Sequence, residues 1–135
     1  MQTTLNHEIT GPHSKCMYAD AYYCPDGNPK PVVIFCHGFK GFKDWGTFEL
    51  IAEKFAREGF CFVKFNFSHC GVEPDDPTEF TDMEAFGNNN FSIEMDDLGA
   101  VISYVLEEKK LIPGEEMDGK ELYLLGHSRG GGIAI

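Results

Sequence analysis

The residues best suited to chemistry lie near the end of the sequence, in the pattern Gly-His-Ser-Arg-Gly at positions 126–130. This G-x-S-x-G motif follows the apolar run 121–125 and opens a segment with the pattern of a buried helix. A serine on so tight a strand-to-helix turn has a strained backbone, so its neighbours must be small. Its hydroxyl is then accessible at the edge of the sheet. It lies next to the N-terminus of the following helix, whose dipole stabilises a negative charge. The motif predicts that Ser128 is a catalytic nucleophile.

A glycine-rich turn between a strand and a helix is also typical of phosphate binding. A dinucleotide-binding G-x-G-x-x-G motif would need glycine at the position of Ser128, and a P-loop would need Lys and then Ser or Thr after its glycines. Positions 126–130 fit neither pattern. A nucleotide-binding domain is therefore disfavoured, although the order of strands and helices would suit one.

A second chemical element is His-Gly-Phe at positions 37–39, directly after the apolar run 31–36. Acyl transfer needs two backbone N–H donors aimed at the oxygen on which negative charge develops. One donor comes from the residue after the nucleophile, Arg129. The other comes from a turn after a neighbouring strand, where Gly38 allows a sharp bend and Phe39 supplies the N–H. We expect Phe39 and Arg129 to form an oxyanion hole with His37 holding the turn; the alternative is that positions 37 and 38 only end a strand.

Short apolar runs predict the strands that position these residues. They span residues 31–36, 60–67 and 121–125, and residues 17–23 alternate in part. A helix begins near Phe48, with apolar side chains at helical spacing, and stops at Gly59. A second helix has its apolar face at Leu98, Val101, Ile102, Val105 and Leu106. Strands alternating with helices predict an α/β fold class, with right-handed units around a mainly parallel sheet and helices on both faces.

Several residues near these elements have two interpretations. Asp44 or Thr47 is expected to cap the first helix and Ser92 the second. Trp45 and Phe42 are candidates to line an acyl pocket, and the alternative for Trp45 is that it packs the start of the first helix. Residues 69–91 are expected to form a long acidic loop. Its carboxylates lack regular ligand spacing, so no metal site and no cofactor are predicted.

Together these segments resemble the α/β-hydrolase superfamily, and more narrowly its small serine esterases of the dienelactone-hydrolase and cinnamoyl or feruloyl esterase type. The resemblance rests on the tripeptide at 37–39, the helix end and strand over 56–67, and the motif at 126–130, and it covers roughly residues 17–135. It implies hydrolysis of a small ester or related acyl compound through an acyl-enzyme. Position by position, it makes Ser128 the nucleophile and Phe39 and Arg129 the oxyanion donors.

The sequence departs from this family in one respect. The family's acid and general-base histidine follow the nucleophile, whereas all five histidines here precede or adjoin Ser128. His127 neighbours the serine and points away from it, and His69 is a remote candidate for a substitute base. We therefore expect residues 1–135 to be the N-terminal portion of a single hydrolase domain, truncated after the nucleophile turn. A separate C-terminal fragment would then be a partner.

Composition and charge limit the class of protein, its partners and its cellular compartment. Hydrophobic residues make up 42% of the 135 positions, which suits one globular domain rather than a disordered tail. A net charge of −11 without a basic stripe argues against nucleic acid or an anionic membrane as a partner. Five cysteines without a C-x-x-C pattern suit reduced thiols, and residues 1–10 carry no apolar signal-peptide core. We expect a cytoplasmic protein.

Two functions of different classes fit these observations. The first is a carboxylic-ester hydrolase, which explains why a serine occupies the strained turn. The second is a non-catalytic hydrolase-fold module that binds a small ligand or a protein partner, which would explain why no histidine follows Ser128.

Overall fold

The elements that the sequence predicts, at residues 17–23, 31–36, 60–67 and 121–125 and in the two helices between them, occur in the predicted order, together with elements that it does not predict. The computed structural model describes residues 1–135. Its elements are β1 (Gln2–Thr10), β2 (Cys16–Tyr23), β3 (Lys30–Cys36), α1 (Phe48–Arg57), β4 (Cys61–Phe65), β5 (Val72–Glu73), β6 (Asp76–Phe80), α2 (Met83–Asn88), α3 (Phe91–Ser103), β7 (Met117–Gly126) and α4 (Arg129–Ala134). A π-helical turn (Tyr104–Glu108) extends α3, and a 3₁₀ turn (Gly114–Glu116) precedes β7.

Five strands form one mixed sheet in the order β1-β2-β4-β3-β7. Strand β3 pairs in parallel with β4 and with β7, whereas β2 pairs antiparallel with both β4 and β1. The parallel half is the part that the sequence predicts. Strand β1 is not predicted, because an outermost strand leaves most of its side chains exposed and here it is built from polar residues.

The two faces of the sheet carry separate hydrophobic clusters, which explains the unbroken apolar run in β3. Val33 and Phe35 pack in one cluster with Phe48 and the alanines of α1. Ile34 packs in the other cluster with Leu98 of α3. Successive side chains of a strand point to opposite faces, so a strand covered by helices on both sides has no polar positions. The prediction of helices on both faces is confirmed.

The helix caps differ from those expected. Asn90, not Ser92, caps α3: its backbone is extended, and its side-chain oxygen accepts a hydrogen bond from the N–H of Ile93 at 2.9 Å. Ser92 already lies inside the first helical turn. Thr47 occupies the capping position of α1 without a side-chain hydrogen bond, and Asp44 forms ion pairs instead.

The acidic residues of segment 69–91 predict a long loop, and this prediction is wrong. The segment contains the β5–β6 hairpin and α2. Asp82 caps α2 by accepting the N–H of Ala85 at 3.0 Å, and it pairs with Lys15 at 2.6 Å. Glu73 also pairs with Lys15, at 3.1 Å. These carboxylates therefore order the segment. No three His, Cys, Asp or Glu side chains lie close enough together to hold a metal ion.

No helix of the chain has both the length and the apolar character needed to cross a membrane.

All five cysteines are free thiols, and those in β3 and β4, Cys36 and Cys61, are buried, as their apolar surroundings predict.

Candidate active site

Strand β7 runs into a sharp turn at Ser128, whose backbone has φ 56° and ψ −119°. Such a conformation is strained for any residue other than glycine, and it persists only where the surroundings impose it. Here the N–H of His127 donates to the carbonyl of Cys36 at the end of β3, at 3.0 Å. The N–H of Gly130 then donates to the carbonyl of His127 at 2.9 Å. The serine is held on a strained turn at the carboxyl end of β7, as the motif predicts.

The glycines on either side of the serine are required by close backbone contacts. A Cβ atom on Gly126 would collide with the backbone of Gly130 and Gly131. A Cβ on Gly130 would collide with the carbonyl oxygen of Cys36. Helix α4 therefore packs directly against β7 and β3, which no larger residue at these two positions would allow.

The turn after β3 contacts this serine turn. A Cβ atom on Gly38 would lie 3.2 Å from the Cβ of Ser128 and 3.0 Å from the carbonyl oxygen of His127. The N–H of Phe39 forms no hydrogen bond to backbone or side chain. Arg129 is the first residue of α4, so its N–H has no acceptor within the helix. Both expected donors thus lie beside Ser128, and neither N–H is used in a turn or loop hydrogen bond.

His37 sets the orientation of the Phe39 N–H. The buried ring accepts the N–H of Phe67 at Nε2, at 3.3 Å, so Nδ1 carries the proton and donates to the carbonyl of Gly38 at 3.0 Å. The N–H of Gly41 donates to the same carbonyl at 2.9 Å. Because C=O and N–H point in opposite directions across a trans peptide, this arrangement turns the Phe39 N–H outward.

The ring of His37 is neutral at ordinary pH. Burial lowers its pKa to about 4, because the imidazolium is poorly solvated there, and the hydrogen bond to Gly38 only partly opposes this effect. The two hydrogen bonds of the ring need one N–H and one bare nitrogen, which only the neutral form provides.

No hydrogen bond joins Ser128 to any of the five histidines. His69, the remote candidate for a base, lies 2.7 Å from the hydroxyl of Ser68, which in turn bonds to the carboxylate of Asp97 at 2.7 Å. Asp97 is fully buried, and this burial raises its pKa. His69 thus belongs to a network that ties the turn after β4 to α3.

A ring of four charges, the side chains of Asp20, Lys43, Lys64 and Asp44, supports the turn after β3. Lys43 pairs with Asp20 at 2.9 Å and with Asp44 at 2.7 Å. Lys64 closes the ring, at 2.9 Å from Asp20 and 2.8 Å from Asp44. Burial lowers the pKa of Lys64, but the two carboxylates outweigh this effect and raise it. Sequence reasoning missed the ring, although a lysine inside the apolar run 60–67 signals a buried partner.

A second ion pair holds the side chain of Arg129. Its Nε and Nη2 lie 2.6 Å and 2.5 Å from one carboxylate oxygen of Glu94, which is buried in α3. The guanidinium also stacks on Phe91, with 3.7 Å between its carbon and the ring centroid. Asn89 donates to the same carboxylate oxygen at 3.2 Å. Helix α3 thereby holds the residue that follows Ser128, and no local sequence pattern indicates this pairing.

A cavity of about 240 Å³ opens in front of Ser128. Trp45 lines it and stacks on His127, with 6.2 Å between ring centroids and 25° between planes. Trp45 also packs on Phe48 at the start of α1, as one of its two interpretations predicts. Phe42 does not line the cavity, because it is buried against Phe80.

The model of the alpha/beta hydrolase fold family matches residues 31–135, which include both turns and every parallel strand. The chain belongs to the alpha/beta hydrolase fold family. The α/β fold expected from the resemblance is thereby confirmed. No curated protein matches the sequence significantly.

Solved structures show the same alpha/beta hydrolase fold at low sequence identity. An esterase from Pyrobaculum calidifontis superimposes with a TM-score of 0.70 and 20% identity, over 98% of this chain and 37% of that one. Est1E from Butyrivibrio proteoclasticus, with bound ferulic acid, gives 0.68 and 22%, over 94% and 44%. XC6422 from Xanthomonas campestris, described as a serine hydrolase without a lid, gives 0.65 and 22%, over 98% and 54%. The chain spans about half or less of each.

Proposed function

We propose that this hydrolase-fold chain carries the nucleophile and the oxyanion hole of a serine esterase that acts on small carboxylic esters. The observation that carries the proposal is the strained Ser128 turn beside the unbonded N–H of Phe39. A purely structural turn does not require a serine in a strained conformation between two glycines. The similarity in fold to esterases supports the same reaction class.

In the proposed reaction, the Ser128 oxygen attacks the ester carbonyl carbon and loses its proton to a general base. The carbonyl oxygen becomes an oxyanion that accepts hydrogen bonds from the N–H groups of Phe39 and Arg129. The C–O bond to the alcohol then breaks, the alcohol leaves with a proton, and Ser128 keeps the acyl group. Water cleaves this acyl-enzyme and releases the acid. Since no histidine here forms a hydrogen bond with Ser128, we propose that the base and its acid partner lie outside residues 1–135.

The test is Ser128→Ala in the natural full-length protein, assayed with a short-chain aryl ester. Removing a nucleophile lowers turnover by about three orders of magnitude or more. Ser92→Ala is the matched control, because Ser92 is exposed on α3 and does not belong to the Ser128 turn. Activity within about tenfold of the parent protein in Ser128→Ala would contradict the proposal.

The second candidate is a hydrolase-fold module that binds a ligand without turning it over. The absence of an imidazole hydrogen-bonded to Ser128 favours it. An organophosphonate that reacts with activated serines distinguishes the two, because only an esterase would acquire the phosphonyl group on the Ser128 peptide, as read by mass spectrometry.

A further inference from the structure

Lys40 differs from most basic residues of this acidic protein in having no carboxylate partner. Eight of the eleven lysine and arginine side chains lie within ion-pair distance of Asp or Glu. Lys40, Lys109 and Lys120 do not. Of these three, only Lys40 lines the cavity that contains Ser128.

The backbone at Lys40 is itself unusual. Its φ of 57° lies in the left-handed region, which is unfavourable for residues other than glycine. The conformation follows from the turn that Gly38 and Gly41 close with a 2.9 Å hydrogen bond. It sets the ammonium group 5.7 Å from the ring centroid of the exposed Phe39. The turn that presents the Phe39 N–H therefore also fixes a cation beside it.

Lys40 lines three cavities, and two of them contain no other lysine or arginine and no carboxylate. The first is the cavity of about 240 Å³ that contains Ser128 and Trp45. The second, of about 330 Å³, is lined by Phe80, Met83 and Phe86. Neither holds a carboxylate that would neutralise the ammonium. The third, a recess of about 20 Å³, is lined by Lys40 together with Glu94, whose carboxylate already binds Arg129.

We infer that this site takes esters that carry a second, anionic group, so that the apolar part lies in the aromatic cavities and a carboxylate pairs with Lys40. The inference rests on the proposed function, because it names the substrate class of that same site. A protein with a net charge of −11 repels anions at long range, so an anionic substrate needs a local cation that no carboxylate already occupies. Lys40 meets that requirement.

The kinetic test compares matched esters in the natural full-length protein. The mono-(4-nitrophenyl) ester of glutaric acid is paired with 4-nitrophenyl valerate, which has the acyl chain without the charge. A second pair, the butyrate esters of 4-hydroxybenzoate and of its methyl ester, moves the charge to the alcohol side. In one of the two pairs, we expect the anionic ester to have a higher kcat/KM than the neutral ester. The ratio of these two kcat/KM values is the preference, and it should fall about tenfold in Lys40→Met. Lys40→Arg should keep it, and Lys40→Glu should reverse it.

The matched control is Lys120→Met, which removes another unpaired, exposed lysine at the opposite end of β7. This variant should leave the preference unchanged. Equal kcat/KM within both ester pairs, or a preference that survives in Lys40→Met, would overturn the inference and leave the proposed esterase intact.

A binding measurement separates this inference from the reaction itself. Trp45 is the single tryptophan, is 48% exposed and lines the Ser128 cavity, so its fluorescence reports occupancy. We expect hexanoate to change the emission in a saturable way, with an affinity about tenfold weaker in Lys40→Met than in the parent protein. Hexanol, which lacks the charge, should bind to the parent protein no more tightly than hexanoate binds to Lys40→Met. Lys40-dependent binding in a protein that hydrolyses neither ester pair would support the anion site and contradict the esterase. Equal binding of hexanoate and hexanol would contradict the anion site.

Discussion

The edge of the sheet that carries Ser128 is supported from its two faces in different ways. On the α1 face, the ring of four charges holds the turn after β3, with each charge in contact with two partners of opposite sign. On the α3 face, one buried carboxylate, Glu94, holds one arginine, Arg129. Three members of the ring, Asp20, Lys43 and Lys64, keep 3% or less of their side-chain surface in water, and only Asp44 reaches solvent. In the pair, Glu94 is likewise buried, whereas the side chain of Arg129 keeps 23% of its surface in water.

This difference predicts how each support responds to damage. A charge left at Asp20, Lys43 or Lys64 has no route to solvent, so the loss of a partner leaves it with the cost of burial. Arg129 can turn toward water and retain its stacking on Phe91. A closed, buried network is therefore a stronger constraint than a pair at the rim, but it is also less tolerant of substitution.

The largest effect is expected from Lys64→Met. It leaves Asp20 almost fully buried with only Lys43 as a counterion, and breaking a buried pair in this way lowers the free energy of unfolding by about 3–5 kcal/mol. Urea unfolding at neutral pH measures the change. Lys54→Met is the matched control, because Lys54 is exposed on α1 and its removal should change stability little.

The double variant Asp20→Asn with Lys64→Met sharpens the same test. It removes one charge of each sign and leaves Lys43 paired with Asp44, so its cost should be well below the sum of the two single costs. Additive costs would mean that the four charges do not act as one ring.

A smaller effect is expected from Glu94→Gln, about 2 kcal/mol, since a hydrogen bond to a charged group is weakened while Arg129 regains water. Glu79→Gln, on the exposed hairpin and without a cationic partner, is the control in the same unfolding assay. If Glu94→Gln proves as damaging as Lys64→Met, the distinction between a buried ring and a pair at the rim is wrong.

The smallest effect concerns His37, which supports the same turn without any charge. Because its folded pKa of about 4 lies below its unfolded value, the unfolded state binds the proton more readily, and the stability from neutral His37 is lost as pH falls from the unfolded toward the folded value. We expect a contribution of about 1–2 kcal/mol to disappear between about pH 7 and about pH 5. His37→Asn should remove that part of the pH dependence. An imidazole that titrates near its ordinary pKa by NMR would show that His37 is not held neutral by burial.

Local pattern was enough to predict the elements nearest the site. Apolar spacing around Phe48 marks α1, and the motif at 126–130 marks the turn between β7 and α4, because each pattern lies within a few positions. The contact that requires glycine at 130, with the carbonyl of Cys36, is visible only in the structure. The segment 69–91 was misjudged for the converse reason. Its acids resemble a solvated loop until Asp82 is seen to cap α2 and to bind Lys15.

The sequence by itself determined the three parallel strands, the turn at Ser128 and the two candidate oxyanion donors, since apolar runs and a glycine-rich motif are readable within a few positions. Only the tertiary structure decided what holds them. The partners of the charged ring come from β2, from the turn after β3 and from β4, and Glu94 is 35 positions from Arg129. Charges so far apart in sequence meet only once the sheet has formed, because pairing depends on strand order and on which face each side chain occupies.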